Sequence, residues 1–127
     1  MPSVVIVDDS GVMRMLLRSI INQERYFNIV GESGSGAEVL EMTEALKPDV
    51  VCLDIMMPDV NGLEILRQLK SQHPKIAVVM ITGSSSSADV KDALTNGADG
   101  YVLKPFNAGK VIDTLKGAYL KLREEQD

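Results

Sequence analysis

The residues best suited to chemistry in this chain stand at the ends of short apolar runs. Asp8 and Asp9 follow Val4-Val5-Ile6-Val7, and Asp54 follows Val50-Val51-Cys52-Leu53. Thr82 follows the run that ends at Ile81, and Lys104 follows Gly100–Leu103. In open α/β sheets, ligands bind outside the carboxyl ends of the strands, near a switch in strand order. Carboxylates gathered at such an edge repel one another, and partial burial raises the cost. Protonation or a bound cation relieves it. All-oxygen ligation with open positions suits Mg²⁺, which takes one or two protein carboxylates and keeps several waters. A metal there leaves positions for a phosphate oxygen, Lys104 adds a second positive charge, and Thr82 offers a hydroxyl donor. This is the equipment for in-line phosphoryl transfer to an aspartate.

Taken singly, each residue has a plainer use. Asp8 or Asp9 could cap the first helix, and Asp54 could head the turn Met56-Met57-Pro58-Asp59. Lys104 could be a solvated lysine, and Thr82 a β-branched strand terminus. Their joint occurrence at the carboxyl ends of the right strands is what favours the chemical reading.

Those strands alternate with amphipathic stretches. The strand candidates are Val4–Asp8, Phe27–Glu32, Val50–Asp54, Ile76–Ile81 and Gly100–Leu103. Most are continuously apolar, the pattern of a parallel sheet covered on both faces. Met13, Leu16, Leu17, Ile20 and Ile21 repeat at helical spacing, with Arg14 and Arg18 on the opposite side. Val39, Leu40, Thr43 and Leu46 carry a second helix, ended by Lys47-Pro48 because the residue before proline avoids the helical region. Leu63, Leu66 and Leu69 carry a third. Val90, Ala93 and Leu94 carry a fourth, stopped at Asn96-Gly97 and capped by one of the serines Ser84–Ser87. Val111, Ile112, Leu115, Ala118, Tyr119 and Leu122 carry the fifth. The order βαβαβαβαβα predicts an α/β fold with a parallel sheet, right-handed crossovers and helices on both faces.

The 127 residues suffice for one domain and one core. A net charge of −5 makes the chain a poor partner for nucleic acid, whose non-specific binding rests on Lys and Arg. One cysteine excludes an intrachain disulfide framework and a Cys-rich zinc site, and one histidine makes His-based metal sites unlikely. No apolar run is long enough for a signal h-region or a membrane span, so a soluble cytoplasmic protein is expected. Cys52 reads as a buried core thiol. His73, in Ser71-Gln72-His73-Pro74, reads as a helix-terminating residue far from the active edge rather than a phosphodonor.

Taken in order and at their spacing, the motifs resemble the receiver domain of bacterial two-component response regulators, in its single-domain, CheY-like form. They are Val7-Asp8-Asp9-Ser10, Lys47-Pro48-Asp49, Leu53-Asp54-Ile55-Met56-Met57-Pro58 with Gly62, Ile81-Thr82-Gly83, Gly97-Ala98, and Tyr101-Val102-Leu103-Lys104-Pro105-Phe106. The resemblance spans Val4 to about Leu122. It implies a doubly wound, flavodoxin-like five-stranded sheet of order 2-1-3-4-5. It assigns Asp54 as the phospho-acceptor. Asp8 and Asp9 become the Mg²⁺-binding acid pair, with Asp54 and the backbone carbonyl of Met56 completing the metal site. It makes Thr82 a switch hydroxyl, Lys104 its partner at the phosphoryl group, Lys104-Pro105 a cis peptide, and Tyr101 an aromatic switch. Tyr101 has a packing role as its alternative. Gly62 is expected to serve a turn into the third helix, and Pro58 to stiffen the loop beside Asp54. Met56 and Ser84 fall at the two positions that tune phosphoryl lifetime in the family. Neither offers a carboxamide or an acid to orient water, so slow to moderate self-dephosphorylation is expected.

The resemblance implies a stand-alone switch: residues 1–127 as one receiver domain without an output domain, phosphorylated by a sensor histidine kinase. The output would be a population shift in the surface of the fourth helix, fifth strand and fifth helix, including Lys91, Thr95, Tyr101, Lys104, Asn107 and Lys110. That face would bind a target protein, with chemotaxis one candidate pathway and the chain a monomer or a weak phosphorylation-dependent dimer. Glu124, Glu125 and Asp127 would form a solvated tail. A phosphate sink or phosphorelay intermediate without its own output is the alternative. A Mg²⁺-dependent phosphohydrolase of the haloacid-dehalogenase type is disfavoured, because its second aspartate would fall at Met56. A degenerate scaffold is disfavoured by the complete site.

Overall fold

The β-branched runs pair side by side into one sheet. The computed structural model describes residues 1–126. The elements are β1 (Ser3–Val7), α1 (Gly11–Glu24), β2 (Asn28–Ser33), a 3-10 turn (Gly36–Glu38), α2 (Val39–Leu46), β3 (Val50–Leu53), α3 (Gly62–Gln72), β4 (Ala77–Thr82), α4 (Ser87–Thr95), β5 (Gly100–Leu103) and α5 (Ala108–Gln126). The five strands are parallel, in the order β2-β1-β3-β4-β5, as expected.

Alternate residues of each central strand face opposite layers. Val4, Ile6, Val50, Cys52, Val79 and Ile81 pack with Leu17 and Ile21 of α1 and Val111 and Leu115 of α5. Val5, Val7, Val51, Leu53, Val78 and Met80 pack with Val39 of α2, Ile65, Leu66 and Leu69 of α3, and Ala93 of α4. Both faces are dry, so both strand parities must be apolar. Cys52 is buried here as expected, and burial pushes its thiol up to about 12.

β2 is an edge strand and starts one residue later than expected. Phe27 leaves the ladder for the core, edge-on to Tyr26 at 4.9 Å between ring centres. The apolar stripes are also narrower than the spacing suggests. Leu16 of α1, Leu46 of α2 and Leu94 of α4 are exposed, because each helix lies on a sheet only one layer deep. α1 is capped by Ser10, whose Oγ accepts from the Met13 N–H at 3.2 Å, so neither Asp8 nor Asp9 caps it. Ser86 is the serine that caps α4, accepting from the Asp89 N–H at 3.0 Å. α5 runs past Leu122, so Glu124 and Glu125 are exposed residues of a helical turn and not a loose tail; Asp127 lies outside the described residues. His73 terminates α3, and its Nε2 lies 3.1 Å from the Glu44 carboxylate. It sits beside the start of β4, at the edge opposite Asp54.

Strand order reverses around β1, since α1 leads outward to β2 and α2 leads back to β3. The crevice between the carboxyl ends of β1 and β3 is therefore the switch point.

Candidate functional site

The parallel ladder itself aligns the two central acids. The Asp8 N–H donates to the Ser33 carbonyl at 3.1 Å, and the Asp54 N–H to the Val7 carbonyl at 3.2 Å. Both residues thus stay in register one step beyond the strands. Both are buried, at 1% and 4% exposure. Asp9, the next residue along, is exposed. One carboxylate oxygen from each of Asp8, Asp9 and Asp54 lies within 4.8 Å of the others.

The two buried carboxylates are satisfied in the same manner. One oxygen of each accepts a local backbone N–H: Ser10 to Asp8 at 2.9 Å, and Met56 to Asp54 at 3.1 Å. The other oxygen of each accepts from the Lys104 ammonium, at 2.8 Å from Asp8 and 2.9 Å from Asp54. Asp54 therefore heads the following turn and also belongs to the cluster. Lys104 is not a solvated surface lysine. Burial alone would lower its pKa, but its hydrogen bonds to Asp8 and Asp54 outweigh this and hold it above the ordinary lysine value. It is carried in by β5, where its N–H donates to the Thr82 carbonyl at 2.9 Å, and the Lys104–Pro105 peptide is cis. Two of the three carboxylates share one ammonium, and Asp9 adds a third negative charge beside them. A hard divalent cation fits the remaining negative charge and the oxygen-only donor set.

Thr82 is fully buried, and its Oγ1 accepts from the Ser84 N–H at 3.3 Å. The Tyr101 hydroxyl donates to the Ser84 carbonyl at 2.8 Å. Its ring also packs against the second core layer, so packing and a hydrogen-bonded role coexist. Burial foremost, with the charges of Asp89 and Asp54, raises the Tyr101 phenol above its usual value. The Met56 side chain is exposed. On the face of α4, β5 and α5, Lys91, Thr95, Asn107 and Lys110 are exposed, whereas the Lys104 head group is turned inward. A groove of about 400 Å³ lies on that face, lined in part by Tyr101, Phe106 and Lys110.

Gly62 serves the site differently from the expected turn. A Cβ there would lie 2.0 Å from the Asp54 carbonyl oxygen and 2.7 Å from the Ile55 Cα. The start of α3 passes directly over the backbone that carries Asp54. Two further residues were not legible as site residues. The Arg14 guanidinium, expected on the solvent side of α1, folds back to donate to the Asp8 carbonyl. Asp59 accepts from the Ser35 hydroxyl at 2.8 Å, the Gly36 N–H at 3.1 Å and the Ala37 N–H at 2.9 Å. It ties the loop after β3 to the loop after β2. These donors, Ser35 foremost, hold its carboxyl down at about 2. Only Asp59's position in a turn-rich segment hinted at such use.

The fold and site define a doubly wound α/β domain with an acid cluster and a lysine at its switch point. The chain belongs to the response regulator receiver domain family, whose model matches residues 4–116. That family consists of signalling switches, not classical enzymes. Its members use Mg²⁺ at the acidic pocket and interact with histidine kinases and downstream targets. Over 118 residues the chain is 36% identical to the chemotaxis protein CheY of Listeria monocytogenes, covering 93% of this chain and 98% of that one. It is similar to a CheY-like receiver domain protein from Methanospirillum hungatei, at 25% identity and a TM-score of 0.91, covering 98% of each chain. It is also similar to a chain in the CheX–CheY–BeF3–Mg²⁺ complex from Borrelia burgdorferi, at 30% identity and a TM-score of 0.87, covering 92% of this chain and 88% of that one. Among the described residues, no helix is long and apolar enough to cross a membrane.

Proposed function

We propose that Asp54 accepts a phosphoryl group from a histidine kinase in a Mg²⁺-dependent reaction, and that the added charge resets the α4-β5-α5 face for a target protein. The observation that carries this reading is the Lys104 ammonium bridging two buried acids, Asp8 and Asp54, at the switch point. Asp8, Asp9, Asp54 and the Met56 carbonyl would hold the Mg²⁺. Bound there, the ion supplies charge for the phosphoryl oxygens.

An Asp54 carboxylate oxygen forms the new bond to phosphorus. The phosphohistidine P–N bond breaks, and its electron pair stays on the imidazole nitrogen. Lys104 then has a phosphoryl oxygen to pair with in place of a carboxylate oxygen. The Thr82 hydroxyl can leave the Ser84 N–H and donate to another. A phosphoryl group carries about two negative charges at neutral pH, and this charge drives both movements.

Incubation with Mg²⁺ and acetyl phosphate should add one phosphoryl group, observed as a mass increment on the intact protein. Asp54→Asn should abolish it, and unchanged labelling of that variant would sink the assignment. Self-dephosphorylation should be slow to moderate: Met56 is apolar, and the Ser84 hydroxyl is already committed to Asp89. The kinship with chemotaxis CheY proteins makes a motility partner the target class to test first. The alternative, a phosphate sink, predicts no protein captured in a beryllofluoride-dependent manner.

A further inference from the structure

Ser84 spends each of its polar groups on a different part of the switch. Its N–H donates to the Thr82 Oγ1 at 3.3 Å, and its carbonyl accepts the Tyr101 hydroxyl at 2.8 Å. Its own hydroxyl donates to the Asp89 carboxylate at 2.6 Å, the shortest of the three. Asp89 lies in the first turn of α4, where its N–H donates to the capping Ser86 Oγ at 3.0 Å and where the helix dipole favours its negative charge. One loop residue thus joins a site hydroxyl, the aromatic ring of β5 and the start of α4.

The three bonds differ in strength. The Thr82 bond is long and is the one lost if Thr82 moves toward Asp54. The Asp89 bond is short and charge-assisted, so it is the one able to hold the loop when the Thr82 bond goes. Gly83, beside it, has nothing within 4 Å of a notional Cβ, so the loop has no packing of its own there. Once the Thr82 bond is lost, the Asp89 bond is what remains of the two hydrogen bonds that Ser84 donates.

We propose that the hydrogen bond from Ser84 Oγ to Asp89 fixes the carbonyl on which Tyr101 docks, making Ser84 the positioning residue through which the state of Asp54 reaches the α4-β5-α5 face. Tyr101 lines the groove of about 400 Å³ on that face, so its docking sets the shape a partner meets. The coupling to Asp54 rests on the phospho-acceptor reading above; the clasp itself does not.

The experiment uses the full chain with ring-¹³C tyrosine, whose three resonances are assigned with Tyr101→Phe. The ratio of docked to undocked Tyr101 is measured by NMR, without and then with Mg²⁺ and beryllofluoride. A charge-assisted hydrogen bond predicts a roughly tenfold fall in the docked ratio for Ser84→Ala and for Asp89→Ala. Ser84→Thr keeps the donor and should restore the ratio to within about twofold. The double variant should fall no further than either single one. A merely structural role would lower the melting temperature in all variants and leave the Tyr101 ratio and its rescue unmoved. An unchanged ratio in Ser84→Ala, or additive effects in the double variant, overturns the clasp. If beryllofluoride fails to bind the wild-type chain, the phospho-acceptor reading falls, and the coupling to Asp54 with it. The ratio measured without beryllofluoride still decides the clasp.

Discussion

Replacing Lys104 with methionine isolates the electrostatic centre of the site. Lys104→Met keeps most of the stem and removes an ammonium 2.8 Å from Asp8 and 2.9 Å from Asp54. Removing one partner of a buried ion pair costs about 3–5 kcal/mol, because the other charge is left uncompensated. The Lys104 side chain keeps 18% exposure, so the low end, about 3 kcal/mol, is expected. The same ammonium opposes a divalent cation. Unit charges 4 Å apart repel by about 1 kcal/mol in water, and a divalent ion doubles this. Mg²⁺ should therefore bind Lys104→Met roughly thirtyfold more tightly. Since ligand binding to the native state adds RT ln(1 + [L]/Kd), saturating Mg²⁺ should recover about 2 kcal/mol of the lost stability. The assay is urea unfolding in EDTA and in Mg²⁺, together with calorimetric Mg²⁺ titration. Equal stability in EDTA and equal Mg²⁺ affinity would refute the view that Lys104 neutralises this pair.

Two further predictions follow from the loops around the site. Gly62→Ala forces a Cβ to 2.0 Å from the Asp54 carbonyl oxygen. It should cost about 3 kcal/mol in urea unfolding and lower the rate of phosphorylation by acetyl phosphate, since the backbone that must yield carries Asp54. The Ser35 hydroxyl foremost, with the backbone N–H groups of Ala37 and Gly36, holds the Asp59 carboxyl at about 2 in the folded chain, below the usual carboxylate range. A lowered folded pKa contributes stability above the unfolded value and loses it as pH falls through the folded one. The stability difference between wild type and Asp59→Asn should therefore be full above about pH 4 and shrink toward pH 2. A difference that stays constant over that window would show that Asp59 acts through packing.

Much of the fold was legible because its signals are local. A strand buried on both faces must be apolar at both parities, and Val50–Leu53 and Ala77–Thr82 show it directly. Caps depend on neighbours a few residues apart, which is why a serine before α4 was foreseen, although Ser10 rather than an aspartate caps α1. The margins were harder to read. Leu16, Leu46 and Leu94 have the correct spacing for burial, but whether a helix position meets another layer depends on what lies across from it.

The residue types of the site and their places at strand ends were determined by the sequence alone, since each follows a short β-branched apolar run set between amphipathic helical stretches. Their partnerships were decided by the tertiary structure. Lys104 is 96 residues from Asp8 and 50 from Asp54, and only the parallel register of β1, β3, β4 and β5 brings the ammonium between the two carboxylates. The same holds for the bond of Tyr101 to a carbonyl 17 residues away and for the close passage of Gly62 over Asp54. Apolar periodicity records which side of an element is dry. It carries no information about which polar groups meet, because hydrogen bonds and ion pairs depend on distances of tenths of an ångström that packing alone sets.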